Sequence, residues 1–510
     1  MRRMLRTHRQ RLLWTVVTFG IVFIANAAMA QGARRLAARQ SPVFPPLSVQ
    51  QQAEKQQLLR GTAVRPAPSD RRPNIVLLLA DDLGYADIGC YGSRDIPTPH
   101  IDRLAARGMR FSNAYVTAAT CSPSRAALLT GRYQQRYGFE FNTGPQRVTH
   151  RAGRGLDPTA VTIADVLRQA GYATGAVGKW HLGSREQFHP INRGFDEFFG
   201  FLAGAHAYLD PSTLSAAEQE VSGPGSTGAV LRGFESVAQP EYLTDAFARE
   251  AVSFIERHQN RPFFLYVAFN AVHTPIQATD KYQDRFADVE DLKRQTYYAM
   301  TSALDEAVGA ILAALRANDL AETTLVIFTN DNGGPTYTEV QSNGPLRLGK
   351  MYLFEGGIRV PLICAGNGVP RTDEICDATV STLDLFPTLC DLANITPPDD
   401  RSLDGVSLLP LLDDAGADVA HRPLCWRNGS NRAIRKGPWK LIAAGEYIWL
   451  FDLSADIGER HNVADAHPEI VQELTTILSE WEKTLASPAW PPRPNARTVE
   501  VDGIPYRLEI

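Results

Sequence analysis

Asn74-Ile75-Val76-Leu77-Leu78-Leu79-Ala80 is an uninterrupted apolar run that stops at Asp81-Asp82-Leu83-Gly84. A run this short, without polar alternation, reads as a strand covered on both faces. The same pattern recurs downstream. Residues 162–170 carry helix-spaced Ile163, Val166, Leu167 and Ala170, with Gly171 where a C′ glycine belongs, and the strand over 173–177 ends in Gly178-Lys179-Trp180-His181. Residues 243–257 place Leu243, Phe247, Ala251, Phe254 and Ile255 on one helical face, and Pro262 opens a strand over 263–269 that leads to His273. A long helix around Leu304, Val308, Ile311 and Leu315 precedes a strand over 324–329 that ends in Asn330-Asp331-Asn332-Gly333-Gly334. Helices alternating with buried strands predict an α/β layer fold with a mainly parallel sheet. Ligands of such sheets bind beyond the carboxyl ends of the strands, where each of these polar clusters falls.

Outside this core the texture changes. The first eleven residues hold five Arg and no acid, residues 12–30 are uncharged, and the run closes on Ala28-Met29-Ala30. This reads as a signal peptide over 1–30, cut after Ala30, and places the protein in the periplasm or outside the cell. An uncleaved membrane anchor is the competing reading, because the uncharged run is nearly long enough to span a bilayer. No second segment of that kind follows, so the remainder reads as soluble. Residues 31–72, rich in Gln, Arg, Ala and Pro, read as a flexible or draped leader. The α/β domain then occupies 73–415. Short strands over 431–435, 439–443 and 448–452, a Gly437-Pro438 turn and a helix near 470–485 predict a small α+β domain over 416–510, with an antiparallel sheet.

The chain has 510 residues, 44% hydrophobic and 21% charged, with Lys+Arg 52 against Asp+Glu 56. That balance argues against a nucleic-acid binder that works through bulk positive charge. Six cysteines, at 90, 121, 364, 376, 390 and 425, show neither a dense disulfide framework nor a C-x-x-C pair.

Asp81, Asp82, Asp331 and Asn332 offer three carboxylates and one amide oxygen at two strand ends. Hard oxygen donors suit Ca²⁺ or Mg²⁺ and not zinc, although Asp and Asn taken singly also cap helices and build turns. Arg125, Lys179, His181, His273 and Lys350 fall in loops or at element ends, and such cations beside a hard metal suit a tetrahedral anion. In Thr120-Cys121-Ser122-Pro123-Ser124-Arg125-Ala126-Ala127-Leu128-Leu129-Thr130-Gly131, a first-turn proline and good helix formers place Cys121 at a helix N-terminus. A plain cysteine there is expected to have a depressed pKa and nucleophilic character, against the bland alternative of a buried inert thiol.

Cys121-Ser122-Pro123-Ser124-Arg125, with Leu128-Leu129-Thr130-Gly131 behind it, resembles the C-x-P-x-R signature of the type I sulfatases. Residues 171–181, Gly-Tyr-Ala-Thr-Gly-Ala-Val-Gly-Lys-Trp-His, resemble the second sulfatase signature, and the likeness runs from about residue 73 to about 485. The resemblance implies an alkaline-phosphatase-like α/β fold and oxidation of Cys121 to formylglycine by a separate formylglycine-generating enzyme. It also implies a Ca²⁺, less readily Mg²⁺, bound by Asp81, Asp82, Asp331, Asn332 and the modified residue at 121. Of the hydrated aldehyde's two hydroxyls, one attacks sulfur and the other expels sulfate. Arg125 and Lys179 would hold that diol, and His181 would take the proton that triggers release. His273 and Lys350 would bind sulfate oxygens and assist the departing alcohol.

Two departures stand out. Residues 346–352 read Leu-Arg-Leu-Gly-Lys-Met-Tyr where the family often has a Gly-rich stretch, so Leu348 and Met351 are expected to shape the sulfate-side wall. His100 replaces a usual Asn after Thr98-Pro99. His206 and Tyr208 lie in a loop expected to face substrate. The expected activity is hydrolysis of aryl or carbohydrate sulfates. The alternatives are a phosphate or phosphonate monoester hydrolase of the same fold, and an unmodified, non-catalytic binding protein.

Overall fold

The computed structural model describes residues 43–65, 72–210, 228–238, 241–399, 401–417, 419, 422–493 and 497–509. The signal-peptide reading of residues 1–30 lies outside the described residues.

Ten strands form the central sheet: β1 Asn74–Ala80, β2 Gly108–Tyr115, β3 Ala173–Lys179, β4 Glu197–Phe201, β5 Val230–Arg232, β6 Glu235–Val237, β7 Phe263–Ala268, β8 Thr324–Asn330, β9 Leu362–Gly366 and β10 Glu374–Ser381. Their order is β10-β2-β9-β8-β1-β7-β3-β4-β5-β6. β1 runs parallel to β7 and β8, β3 parallel to β7 and β4, and β10 parallel to β2. β9 is antiparallel to both its neighbours, and β5 to both of its own.

Burial on both faces explains the apolar run that opened the chain. Val76, Leu78 and Ala80 face a layer that includes the helices Leu243–His258 and Leu292–Ala317. Ile75, Leu77 and Leu79 face the opposite layer, with Ala126, Leu129, Ile163, Val166 and Phe386. Register decides where the polar ends emerge. Ala80 pairs with Asn330, Leu79 with Ala268, and Ala268 with Gly178. The carboxyl ends of β1, β3, β7 and β8 are therefore level, and their loops meet at one rim of the sheet.

Strands β11 Leu424–Asn428, β12 Asn431–Lys436, β13 Trp439–Ala444 and β14 Tyr447–Asp452 form the antiparallel C-terminal sheet in sequence order. One face packs on the helix Pro468–Glu482 through Cys425, Ile434, Leu441, Leu450, Leu474 and Leu478. The other face sets Trp426, Ile442, Trp449 and Phe451 against Tyr352, Leu353, Phe354 and Ile358 of the large domain. A hairpin of β15 Arg497–Val501 and β16 Ile504–Leu508 closes that contact through Tyr506.

The structure corrects the expected leader: residues Val49–Arg60 are helical. No apolar stripe announces this helix, because only Leu59 is buried. It stands on a Ser48/Gln51 capping box and an ion pair between Lys55 and Asp165 at 3.1 Å. The helix Leu292–Ala317 is long and apolar enough to cross a membrane, but 78% of its most apolar stretch is buried in the protein, as a core helix requires. All six cysteines are free thiols.

Candidate active site

Four loops deliver the site to the rim. Asp81 and Asp82 follow β1, Lys179 closes β3, His273 follows β7, and Asp331 and Asn332 follow β8. The nucleophile candidate comes from the side. Helix Cys121–Thr130 begins with Cys121 in its first position, and Asn142 Oδ1 accepts the Ser122 N–H at 3.0 Å, which satisfies one of the free first-turn donors.

Cys121 Sγ lies 3.2 Å from Lys350 Nζ, 3.7 Å from Asp81 Oδ1 and 3.9 Å from Asp82 Oδ1. Lys179 Nζ pairs with Asp81 Oδ2 at 2.5 Å, and Lys350 Nζ with Asp82 Oδ1 at 2.7 Å. The Arg125 Nε and NH2 atoms both reach Asp331 Oδ2 at 2.8 Å, and its NH1 donates to the Lys179 carbonyl at 2.9 Å. Asn332 Nδ2 donates to Asp82 Oδ1 at 2.7 Å. Asp81, Asp82, Cys121, Arg125, Lys179, Asp331, Asn332 and Lys350 thus form one linked cluster, and Arg125 is fully buried.

Ligand atoms of Asp81, Asp82, Cys121 and His273 lie within 4.8 Å of one another, a geometry that could hold one ion. Asn332 Oδ1 is buried without a hydrogen-bond partner, so a further oxygen donor is free. Asp331 is turned towards Arg125, and His273 Nε2 stands 3.6 Å from Asp82 Oδ2. Asp81, Asp82 and the free Asn332 Oδ1 contribute oxygen donors to a place where one divalent cation could be held.

Electrostatics follow from burial and pairing. Burial pushes the Asp81 carboxyl up to about 7, against the pull of Lys179. Burial also acts on Asp82, but Lys350 above all, with Lys179, outweighs it and holds that carboxyl well below the usual range. Burial lowers His273 to about 3, and takes His181 well below its ordinary value with the help of Lys179 and Arg125. His273 Nδ1 lies 2.6 Å from the Thr274 carbonyl, which can only accept, so the neutral ring keeps its proton on Nδ1 and presents a lone pair at Nε2. The thiol departs from expectation. Burial raises Cys121 to about 12 against the pull of Lys179 and Lys350, with the neighbouring carboxylates Asp331 and Asp81 pushing the same way as burial.

Asp82 and His181 both adopt left-handed backbone, at φ 62° and 58°, a conformation that side chains other than glycine rarely take. His181 fits only because residue 204 has no side chain: a Cβ on Gly204 would sit 2.5 Å from His181 Nε2. Gly204→Ala is therefore expected to displace the ring and reduce turnover by up to about a hundredfold. The melting temperature should change little, and steady-state kinetics beside a thermal melt will check both.

Two expectations are corrected. His206 and Tyr208 do not face an open pocket. Both are buried, with His206 held between the Ala207 and Gly228 carbonyls at 2.7 Å each. The Tyr208 hydroxyl lies 2.8 Å from the His273 carbonyl and so steadies that loop. Leu348 and Met351 do not wall the site either; both pack into the cluster shared with the C-terminal sheet. His100 lies against Gly309 of the long helix, with its N–H on Asp305, away from the chemistry. Asn142 and Asn343 went unforeseen. Asn343 Oδ1 accepts from Gly334 N at 2.9 Å while its Nδ2 donates to Leu348 O at 2.9 Å, tying the Asp331 loop to the Lys350 loop.

A family model described as Sulfatase matches residues 73–395. N-acetylgalactosamine-6-sulfatase of Canis lupus familiaris is 33% identical over 481 residues, 83% of this chain and 88% of the relative. Arylsulfatase A of Homo sapiens is 35% identical over 456 residues, 80% of this chain and 87% of the relative. The solved structure of Ps i-CgsB with k-i-k-neocarrahexaose is 37% identical, with a TM-score of 0.76 over 82% of this chain and 95% of that one.

Proposed function

The chain belongs to the sulfatase family and is a sulfuric ester hydrolase, and we propose that it works through a formylglycine made from Cys121 and one bound divalent cation, Ca²⁺ before Mg²⁺. The observation that carries this reading is the approach of Cys121 to Asp81, Asp82 and Lys350 inside a buried, paired cluster. When present, formylglycine supplies a hydrated aldehyde with two hydroxyls, one to attack sulfur and one to release sulfate. The cation supplies Lewis acidity, held by Asp81, Asp82, Asp331, Asn332 and residue 121.

The protein's own residues do the rest. Three carboxylates, Asp81, Asp82 and Asp331, stand against Lys179, Lys350 and Arg125, so the cluster balances before a cation joins it. A divalent ion then gives the positive excess that an anionic ester and its developing charge need. Lys350 and Lys179 place charge beside residue 121, Arg125 fixes Asp331, and the His273 Nε2 lone pair is placed to accept the proton released at residue 121 and pass it to the departing alcohol. His181, neutral and with Nδ1 free of hydrogen bonds, is placed to take the proton that accompanies sulfate release.

Sulfated sugars are the favoured substrates, since one relative is named for N-acetylgalactosamine 6-sulfate and a structural neighbour holds a carrahexaose. Export through the basic, uncharged-cored N-terminus completes the proposal, with a maturation enzyme as the partner that modifies Cys121. Paired aryl and sugar sulfates and phosphates test it: sulfate turnover is expected, and turnover of phosphates or phosphonates alone overturns it. Active protein is expected to carry about one Ca²⁺ per chain and to lose both activity and thermal stability when stripped by a chelator. Elemental analysis that found only zinc would refute the ligand assignment.

A further inference from the structure

Two adjoining cavities open at the amino-terminal rim of the central sheet. Thr324 begins β8 there, and the seven residues to Asn330 put it about 20 Å from the catalytic rim. The larger cavity, about 550 Å³, lies between helix Pro99–Ala106, the end of helix Leu292–Ala317 and the turn after β9. Its floor is firm and apolar, with Leu104, Leu315, Val326 and Val369 all buried.

Around that floor stand Arg103, Arg107 and Arg316, all exposed, with Glu322 as the one acid of the wall. Residues 103 and 107 lie four apart at the end of one helix and so share a face. Among the described residues no hydrogen bond, ion pair or ring contact holds any of these three guanidiniums. Arg136, Arg232, Arg257 and Arg427, by contrast, each meet a carboxylate within 2.6 Å. The second cavity, about 470 Å³, begins one residue away, at Leu320 beside Ala321, and adds Arg72 and Arg261 against Asp319. Arg72 donates to the Ala170 carbonyl and lies 5.7 Å over the Tyr172 ring, while Arg261 is as free as the other three. The two walls together set five arginines against two acids, in a chain whose formal net charge is −4.

A helix dipole favours a cation in the last turn, which accounts for Arg103 or Arg316 singly. It does not gather four unpaired guanidiniums along one rim around preformed space. Guanidinium forks match the oxygens of sulfate groups, and an aliphatic floor beneath them suits the carbon faces of a sugar chain. We propose that this rim is a second binding site, where Arg103, Arg107, Arg316 and Arg261 hold a sulfated polysaccharide away from the reacting ester. The choice of a sulfated sugar rests on the sulfatase reading above, and the anion site itself on the cavities and their charges. A polymer held here is raised in effective concentration at the catalytic rim without any new contact to the chemistry.

The test measures binding of dextran sulfate to the full chain by titration calorimetry, with neutral dextran and double-stranded DNA as controls. The exposed triple variant Arg103→Gln, Arg107→Gln, Arg316→Gln is expected to bind dextran sulfate about ten- to a hundredfold more weakly. Its kcat and KM for 4-nitrophenyl sulfate, which reports on the catalytic rim alone, should stay within about twofold. Unchanged affinity in the triple variant, equal binding of neutral dextran, equally tight binding of DNA, or a parallel loss of 4-nitrophenyl sulfate turnover would each overturn the proposal. A wild-type protein that binds dextran sulfate through these arginines but hydrolyses no sulfate ester overturns the sulfatase reading instead, and leaves the anion site standing.

Discussion

Cys121→Ala is expected to reduce sulfate-ester turnover by roughly 10⁴- to 10⁶-fold, the usual cost of removing a nucleophile, in a protein that still folds. The fold tolerates the change because the sulfur has few strong partners: Lys350 at 3.2 Å is its nearest, and Lys350 keeps Asp82 at 2.7 Å without it. Alanine suits the first turn of Cys121–Thr130 at least as well, and the methyl-sized void costs about 1 kcal/mol. Cys121→Ser makes the finer distinction. A residue with one hydroxyl can accept the sulfuryl group but has no second hydroxyl to release it, so protein about 80 Da heavier and inactive is expected to accumulate on exposure to substrate. Wild-type protein from a host with a formylglycine-generating enzyme should show its Cys121 peptide about 18 Da lighter than the thiol form. Full turnover by protein whose Cys121 is demonstrably a thiol would leave a cysteine hydrolase in place of this mechanism.

Much of this site was legible because the strands that carry it are buried on both faces. Asn74–Ala80, Phe263–Ala268 and Thr324–Asn330 each carry a continuous apolar run of at least four residues, and each strand stops where its chemistry begins. The edge-side strands were not legible. Gly108–Tyr115 carries Arg110, Ser112 and Asn113, and only some of its residues are buried, so neither an apolar run nor clean alternation marks it. Leu424–Asn428 likewise mixes Arg427 and Asn428 into its pattern and is not marked by it, while the other three strands of its sheet are. Tertiary pairings left no trace in local sequence. Nothing near Asp331 shows that its carboxylate faces Arg125, and nothing near Gly333 shows that a Cβ there would meet the Gly356 carbonyl at 1.7 Å. The thiol was misjudged for a related reason: a helix N-terminus is visible in sequence, whereas complete burial among carboxylates is not.

The second large effect lies outside the site, where the C-terminal sheet meets the Lys350 segment. Lys440 of β13 is fully buried, 2.9 Å from Glu355 Oε1 and 2.8 Å from Glu459 Oε1. Glu355 stands five residues beyond Lys350, and its other oxygen meets the Tyr115 hydroxyl at 2.5 Å and Arg359 at 3.2 Å. Its N–H donates to Glu459 Oε2 at 2.7 Å. Lys440→Met keeps the length and loses the charge, leaving two buried carboxylates short of a partner, and is expected to cost about 3–5 kcal/mol in urea unfolding. The pH dependence carries its own sign. Burial raises the Glu459 carboxyl above its ordinary value, so its stabilising contribution is present in acid and lost as pH rises through that raised value. Burial acts on Glu355 too, but Lys440, then Arg359 and Arg435, hold it low, so its contribution is present above the ordinary value and lost in strong acid. Without Lys440 both carboxyls move up, and folding takes up protons. The deficit of Lys440→Met should therefore widen between pH 5 and pH 8, and Glu459→Gln in the same chain should recover part of it. A deficit below about 1 kcal/mol that does not change with pH would place this lysine with exposed ion pairs, and would leave apolar packing around Trp449 and Phe354 as what joins the two parts.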